Sequence, residues 1–254
     1  MRGGKGIWVA VLALAACNCI HAMAIGALRA DFRRIYALDP NGSVNIQNLY
    51  GDVSITAWDR DEVLVEAVKK SSDPKRLDDA QIVVDSSGRE LSIRTQYVGA
   101  GGDRPASVEY RIMVPRTANL ENVKLINGGL AISGVAGSIH ASSVNGSIHA
   151  EHLEGQAELS TINGQLDAGF NRVGSNSAIM LRSVNGPIRL WIPPGADAVL
   201  SARNLSGGIQ TQFGRGFRSA SGHRLRTTIN RGGARIHVDN TNGGIVIRAS
   251  GPLT

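Results

Sequence analysis

Cysteine is almost missing from this chain of 254 residues: Cys17 and Cys19 are its whole supply, and both stand near the start. Whatever folds beyond them has no disulfide framework and no cysteine-bound zinc. Aromatic residues make up 4% of the chain while hydrophobic residues reach 42%. A core so poor in large rings must be built from closely packed aliphatics, which suits thin, regular layers. Acid is scarce late in the chain. Residues 172–248 hold 11 arginines and, as acids, Asp197 and Asp239 alone, whereas residues 39–90 hold 11 acidic against 6 basic side chains. The fold is therefore electrically lopsided. Chemical fingerprints are missing too. No serine sits in Gly-x-Ser-x-Gly, no phosphate-binding glycine loop occurs, and no Asp-x-Asp-x-Asp-Gly calcium loop is present. The sequence offers no catalytic residue, no metal site and no cofactor.

An export leader is present. Arg2 and Lys5 precede an unbroken apolar run from Ile7 to Ala16. That run is about half of the roughly 20 residues a membrane-spanning helix needs. Two readings of its end stay open. Ala22-Met23-Ala24 is an A-x-A site, which makes residues 1–24 a cleaved signal peptide. Leu14-Ala15-Ala16-Cys17 resembles a lipobox, which would put a lipid on Cys17 and tie the protein to a membrane. Either way the protein is exported, to the periplasm, the outer membrane surface or the extracellular space. Cytoplasmic nucleic acid is then not a partner.

Glycine returns every nine residues at Gly137, Gly146, Gly155 and Gly164. Two and four residues after each such glycine stand small aliphatics, such as Ile148 and Ala150 or Leu166 and Ala168, with polar residues between. Alternation of period two predicts strands with one side inward. By the same count the residues two before each glycine, Ile126, Val135, Val144, Leu153 and Ile162, are expected inward as well. Glycine is read here as a turn residue that accepts positive φ. A second period decides how the strands connect. Asn127, Asn145 and Asn163 precede glycine every 18 residues, so two nine-residue units make one lap and equivalent turns recur each lap. This describes a single-stranded parallel β-solenoid with about 18-residue laps, its asparagines stacked in a ladder.

The solenoid is expected to occupy residues 31–250. Gly42 and Gly51 repeat the nine-residue spacing, with Val44, Ile46, Leu49, Val53 and Ile55 placed inward. Later units, "SVNGPIRLWI", "NLSGGIQT" and "DNTNGGIVIR", are less regular. The step from Asn163 to Asn185 is 22, and its surplus predicts a loop near residues 171–177. Residues 58–116 differ. They read as longer strands, one pair a hairpin turning at Ser86-Ser87-Gly88, that cover one face or end of the coil.

The units at 143–148, 161–166 and 183–188, with "ITAWDRDEV", "IPPGADAVLSARNLSGGIQT" and "TNGGIVIRAS", resemble the bacterial β-strand-repeat family called putative adhesins. The resemblance spans residues 40–249. It implies an exported, envelope-associated β-solenoid and carries no site residues to this chain.

Candidate sites are few. His140, His149 and His152 read as outward polar residues, and Trp58 to Glu62 as a charged turn capped by Trp58. Arg203, Arg215, Arg218, Arg224, Arg226, Arg231 and Arg235 cluster late, and arginine forks suit phosphate and carboxylate. The leading expectation is a non-enzymatic envelope protein that adheres or scaffolds through a rigid repetitive surface, its partner an envelope component or surface glycan. One alternative is a binder of anionic polymer or lipopolysaccharide through the arginine cluster. The other is a polysaccharide-degrading β-helix enzyme with an acidic cleft.

Overall fold

A computed structural model describes residues 28–98, 105–213, 218–220 and 223–250. The leader with Cys17 and both cleavage motifs, the connector at 99–104, and Arg215 lie outside these residues. The chain runs through β1 (Leu28–Ala37), β2 (Ser43–Tyr50), β3 (Val53–Trp58), β4 (Glu62–Ser71), the short helix α1 (Pro74–Asp79), β5 (Ala80–Ser86), β6 (Glu90–Tyr97) and β7 (Ser107–Pro115). A regular array follows: β8 (Asn119–Asn127), β9 (Leu130–Ser133), β10 (Ile139–Asn145), β11 (Ile148–Leu153), β12 (Ala157–Asn163), β13 (Leu166–Phe170), β14 (Ala178–Asn185) and β15 (Ile188–Ile192). Last come β16 (Ala198–Ser206), β17 (Ile209–Thr211), β18 (Arg218–Ala220), β19 (Arg224–Ile229), β20 (Ala234–Asn242) and β21 (Ile245–Ala249).

These strands form two facing sheets, one of 11 strands and one of 10. Each lap gives one strand to each sheet. In the ten-stranded sheet β10 runs parallel to β8 and β12; in the other, β11 runs parallel to β9 and β13. Asn145 pairs with Asn163, one 18-residue lap apart. Between β12 and β14 the step is 22, Ala157 against Ile179, and the four extra residues fall in the turn after Phe170. The fold is a parallel β-solenoid.

Like residues stack on like. Leu130, Ile148, Leu166, Ile188, Ile245 and Ile209 form one buried column; Val123, Ala141, Leu159, Leu181, Val238 and Ala202 form another, facing it from the second sheet. Each buried aliphatic contributes roughly 1.5–3 kcal/mol, but only once a neighbouring lap covers it.

Laps do not follow chain order at the ends. The lap β20–β21 enters between β14–β15 and β16–β17, so the last lap in sequence is second from the end in space. The mirror arrangement holds at the other end, where β2–β3 lies between β6–β7 and β8–β9. Antiparallel strands close both ends: β4 on β7 and β5 on β6, with β1 outside β4, and β18 on β17 with β19 on β16. The long strands of residues 58–116 thus cover an end of the coil, and β6 and β7 are a lap in their own right. Helix α1 bridges β4 and β5; Pro74 opens it, and the Asp73 side chain caps it by accepting from the Lys75 amide at 3.0 Å.

The solenoid holds one buried polar knot near this end. Asn48 Nδ2 donates to the carbonyls of Gly51 (2.9 Å) and Val108 (2.8 Å), and its Oδ1 accepts from Thr95 Oγ1 at 2.9 Å. With the threonine hydrogen so used, the Tyr110 hydroxyl donates to Thr95 Oγ1, 2.7 Å away. Burial pushes the Tyr110 hydroxyl up to about 12. Burial also raises Tyr97, whose hydroxyl donates to the Ala106 carbonyl at 2.8 Å.

Candidate functional site

Four consecutive residues build each corner where the ten-stranded sheet passes into the other. In Ser143-Val144-Asn145-Gly146 the hydroxyl turns inward and Ser143 Oγ donates to the Gly128 carbonyl at 3.2 Å. Thr161 Oγ1 does the same to Gly146 O at 2.9 Å one lap on. Asparagine replaces the hydroxyl near the ends: Asn240 Nδ2 reaches Gly186 O at 3.1 Å, and Asn204 Nδ2 reaches Gly243 O at 2.7 Å. These side chains satisfy carbonyls that the turn removes from the sheet ladder.

The third residue makes the ladder. Asn145 Nδ2 donates to Asn127 Oδ1 at 3.0 Å, Asn163 to Asn145 at 2.9 Å, Asn185 to Asn163 at 2.9 Å and Asn242 to Asn185 at 2.9 Å. Two members, Asn185 and Asn242, extend it beyond the three that regular spacing marks. The fourth residue corrects the reading of glycine. Gly128, Gly146 and Gly164 do not have positive φ. They are small because a Cβ on Gly146 would overlap the Gly128 carbonyl, and one on Gly164 the Gly146 carbonyl. Close stacking of laps, not turn conformation, excludes a side chain there.

The second residue is the largest departure from expectation. Leu49, Ile126, Val144 and Ile162 point outward, not inward; Leu49, Ile126 and Ile162 are 40%, 41% and 45% exposed. Inward residues Ser143 and Ile148 are five positions apart, so the corner consumes an odd number of residues and reverses the alternation. At the opposite corner Val135 and Leu153 stay buried. There a bulge, with His152 at φ 56°, keeps Leu153 inward.

The outward residues line up across seven strands as Leu49, Ile126, Val144, Ile162, Val184, Thr241 and Leu205, aliphatic throughout except at Thr241. Leu205, 71% exposed, ends the line. Beside it runs a polar column, Ser142, Ser160, Arg182, Asp239 and Arg203. The serines are short, and a groove of about 840 Å³ opens along the two columns, closed at its far end by His223 and Arg224 of the capping segment. Arg224 lies directly across from Arg203. Like charges so placed repel unless an anion lies between them. Arg182 pairs with Glu158 at 3.2 Å. Asp239, the one acid lining the groove, bonds His237 at 2.8 Å instead of either arginine column neighbour. Neither Arg203 nor Arg224 has an ion-pair partner among the described residues.

The arginines expected to cluster divide into groups. Arg203, Arg224, Arg226 and Arg235 share the outer face of the ten-stranded sheet. Arg231 is engaged by Asp197, Nη2 to Oδ2 at 2.8 Å, and this bond holds the Asp197 carboxyl below its usual range. Arg218 opens β18 in the other sheet. Arg182 also lines the groove, although it stands 21 residues before Arg203 in the sequence, outside the late cluster.

His149 and Asp167 are lap neighbours on the eleven-stranded sheet, Nδ1 to Oδ2 at 3.2 Å, whereas His140 stands on the ten-stranded sheet. No group of three or more metal-ligating side chains occurs among the described residues. Trp58 Nε1 donates to the Glu62 carbonyl at 2.8 Å, with the Arg60 guanidinium 5.0 Å from the ring centre, so this turn is closed on itself. The groove, with a single carboxylate, is not the acidic cleft that glycoside cleavage needs.

Such a molecule is an end-capped parallel β-solenoid with a repetitive outer face. Residues 41–248 match the family described as Toastrack DUF4097, and the chain belongs to it. It is similar to the solved structure of a putative cell adhesion protein from Clostridium sporogenes, at 14% identity over 87% of this chain and 100% of that one, TM-score 0.54. A putative adhesin from Bacteroides fragilis aligns at 10% identity over 87% and 97%, TM-score 0.39. A putative lipid binding protein from Parabacteroides distasonis aligns at 11% over 87% and 97%, TM-score 0.31. The first shares the fold; the other two align too loosely to carry an argument. No curated protein matches the chain.

Proposed function

We propose that this is a non-enzymatic, exported envelope protein that adheres or scaffolds through the outer face of its ten-stranded sheet. The observation that carries the reading is repetition on that face. The same pair of groups, an outward aliphatic beside an asparagine amide, recurs on successive strands about 4.8 Å apart. A surface of this kind gains strength from many shallow contacts made at once. The leader at residues 1–24 and the cell-adhesion description of the Clostridium structure agree with an envelope location. The test is retention of envelope fractions and arrayed surface glycans by the immobilised protein. Val144→Asp and Ile162→Asp on the exposed column should abolish it. Silence in both assays, beside turnover of any polysaccharide, would reject the reading.

A second reading, binding of an anionic polymer, draws on Arg203, Arg224, Arg226 and Arg235 sharing one face. Retention on heparin that survives half-molar salt would refute it, since binding by charge weakens steeply with ionic strength.

A further inference from the structure

We propose that the groove on the ten-stranded sheet binds one acyl chain of an anionic lipid, with the aliphatic column along the chain and Arg203 and Arg224 on the headgroup. The proposal goes beyond adhesion and does not need it: a single soluble copy of the protein would suffice.

The shape of the apolar surface selects the ligand. The column is one residue wide. From Val144 to Leu205 it crosses five strands, about 19 Å at 4.8 Å per step. A protein partner needs a broad patch, roughly 800 Å² on each side. One acyl chain spans about 15 Å, half of a 30 Å bilayer core. A single file of Val144, Ile162 and Val184, with Thr241 and Leu205 beyond, matches that length and width. The short side chains of Ser142 and Ser160 lower the floor beside it, so the chain can sit below the surrounding surface.

Charge fixes the orientation. At the Val144 end the groove is lined by serines. At the Leu205 end stand Arg203 and Arg224, opposite each other on β16 and β19, with His223 alongside. Among the described residues neither arginine has a carboxylate partner, and Asp239 is turned to His237. A phosphate between two guanidinium forks removes their repulsion and gains charge-assisted hydrogen bonds. Exposed Leu205 is two residues from Arg203 on the same face, which joins the apolar track to the anion site. An anionic sugar polymer would use the arginines but leave the aliphatic column in water. Arg226 and Arg235 stand off the groove and belong with that other reading.

The probe is 1-palmitoyl lysophosphatidate below its micelle-forming concentration, measured with the full exported chain by equilibrium dialysis. One molecule should bind per chain. Shortening the probe to the lauroyl homologue removes four methylenes; with half of each covered by an open groove, binding should weaken by about tenfold. Ile162→Asp, an outward position, should lower affinity by at least tenfold, and so should the pair Arg203→Gln and Arg224→Gln. Both variants should keep the parent's circular dichroism and unfolding midpoint; Ile162→Ser replaces Ile162→Asp if the latter fails to fold. Inorganic phosphate binding as tightly as the lipid would overturn the proposal, as would indifference to chain length or to either set of substitutions. Dimerisation that Ile162→Asp abolishes, with no lipid bound, would assign the column to a second copy and also overturn it. Any of these leaves the adhesion reading standing, because that reading is tested on immobilised arrays.

Discussion

Two adjacent glycines, Gly243 and Gly244, should respond to alanine in opposite directions. Gly243 has φ +135°, and a Cβ there would come 2.5 Å from the Gly186 carbonyl oxygen. Left-handed strain of this type costs about 1–3 kcal/mol, and overpacking against a rigid backbone atom about 1–3 kcal/mol more. To escape, the β20–β21 lap must lift away from β14–β15. That stretches the bonds from the Gly186 amide to Asn242 O and from the Ile188 amide to Gly244 O, both 2.9 Å, and the Asn242–Asn185 rung at 2.9 Å. Gly243→Ala should therefore destabilise by about 2–6 kcal/mol. At 2–4 °C per kcal/mol for a chain of this size, the thermal midpoint should fall by roughly 10 °C. Gly244 has nothing within 4 Å of a built Cβ, and its φ is not positive. Gly244→Ala restricts the unfolded chain and should leave stability unchanged or raise it by up to about 1 kcal/mol. Thermal and urea unfolding followed by circular dichroism would measure both. Equal costs at the two positions, or a loss below about 1 kcal/mol for Gly243→Ala, would show that lap stacking does not dictate glycine.

Asn163 both donates to Asn145 and accepts from Asn185, while Asn127 only accepts from Asn145; Asn163→Ala should cost about 1–2 kcal/mol and Asn127→Ala about half that, read from urea midpoints. Thr161→Val keeps the shape but leaves the Gly146 carbonyl without its 2.9 Å partner, for a loss of about 1–3 kcal/mol in the same assay. Tyr110 gives an alkaline signature. Its hydroxyl is raised from 10 to about 12 by burial, so its contribution is whole below pH 10 and lost as pH climbs through 12. That contribution is on the order of 2–3 kcal/mol. Thermal midpoints taken from pH 9 to 12 should fall steeply in the parent and less steeply in Tyr110→Phe; parallel curves would refute the assignment.

The solenoid was legible because a repeat prints its period directly. Columns such as Leu130, Ile148 and Leu166 follow from spacing alone, as does the ladder through Asn127, Asn145 and Asn163. Two things were hidden. Alternation continued through the corner places Val144 and Ile162 in the core, but the Asn-Gly corner shifts its phase and turns them outward. The hydroxyl before each of them was the available signal: Ser143, Thr161 and Ser183 recur where a buried carbonyl needs a donor, and a residue beside an inward one faces out. The groove was hidden more deeply. Arg224 faces Arg203 because β19 turns back along β16, and Asp239 stands between Arg182 and Arg203 because the final lap enters between two earlier ones; no local pattern in "NLSGGIQT" or "DNTNGGIVIR" gives that order.

The insertion of terminal laps is what lets a repetitive coil end. A parallel stack grows by adding a lap with the same hydrogen-bond pattern, so a bare last lap would template another copy. Here the outermost parallel strands, β6, β7, β16 and β17, are each paired on the outside with an antiparallel strand. The first and last laps in sequence, β2–β3 and β20–β21, are bonded on both sides, so neither is left as an open face of the stack. The same device builds the groove. Strand β19 can place Arg224 against Arg203 only because it turns back along β16 to close the end, and β16 is outermost only because β20 has taken the inner place. End-capping and the charged end of the groove therefore have one structural cause.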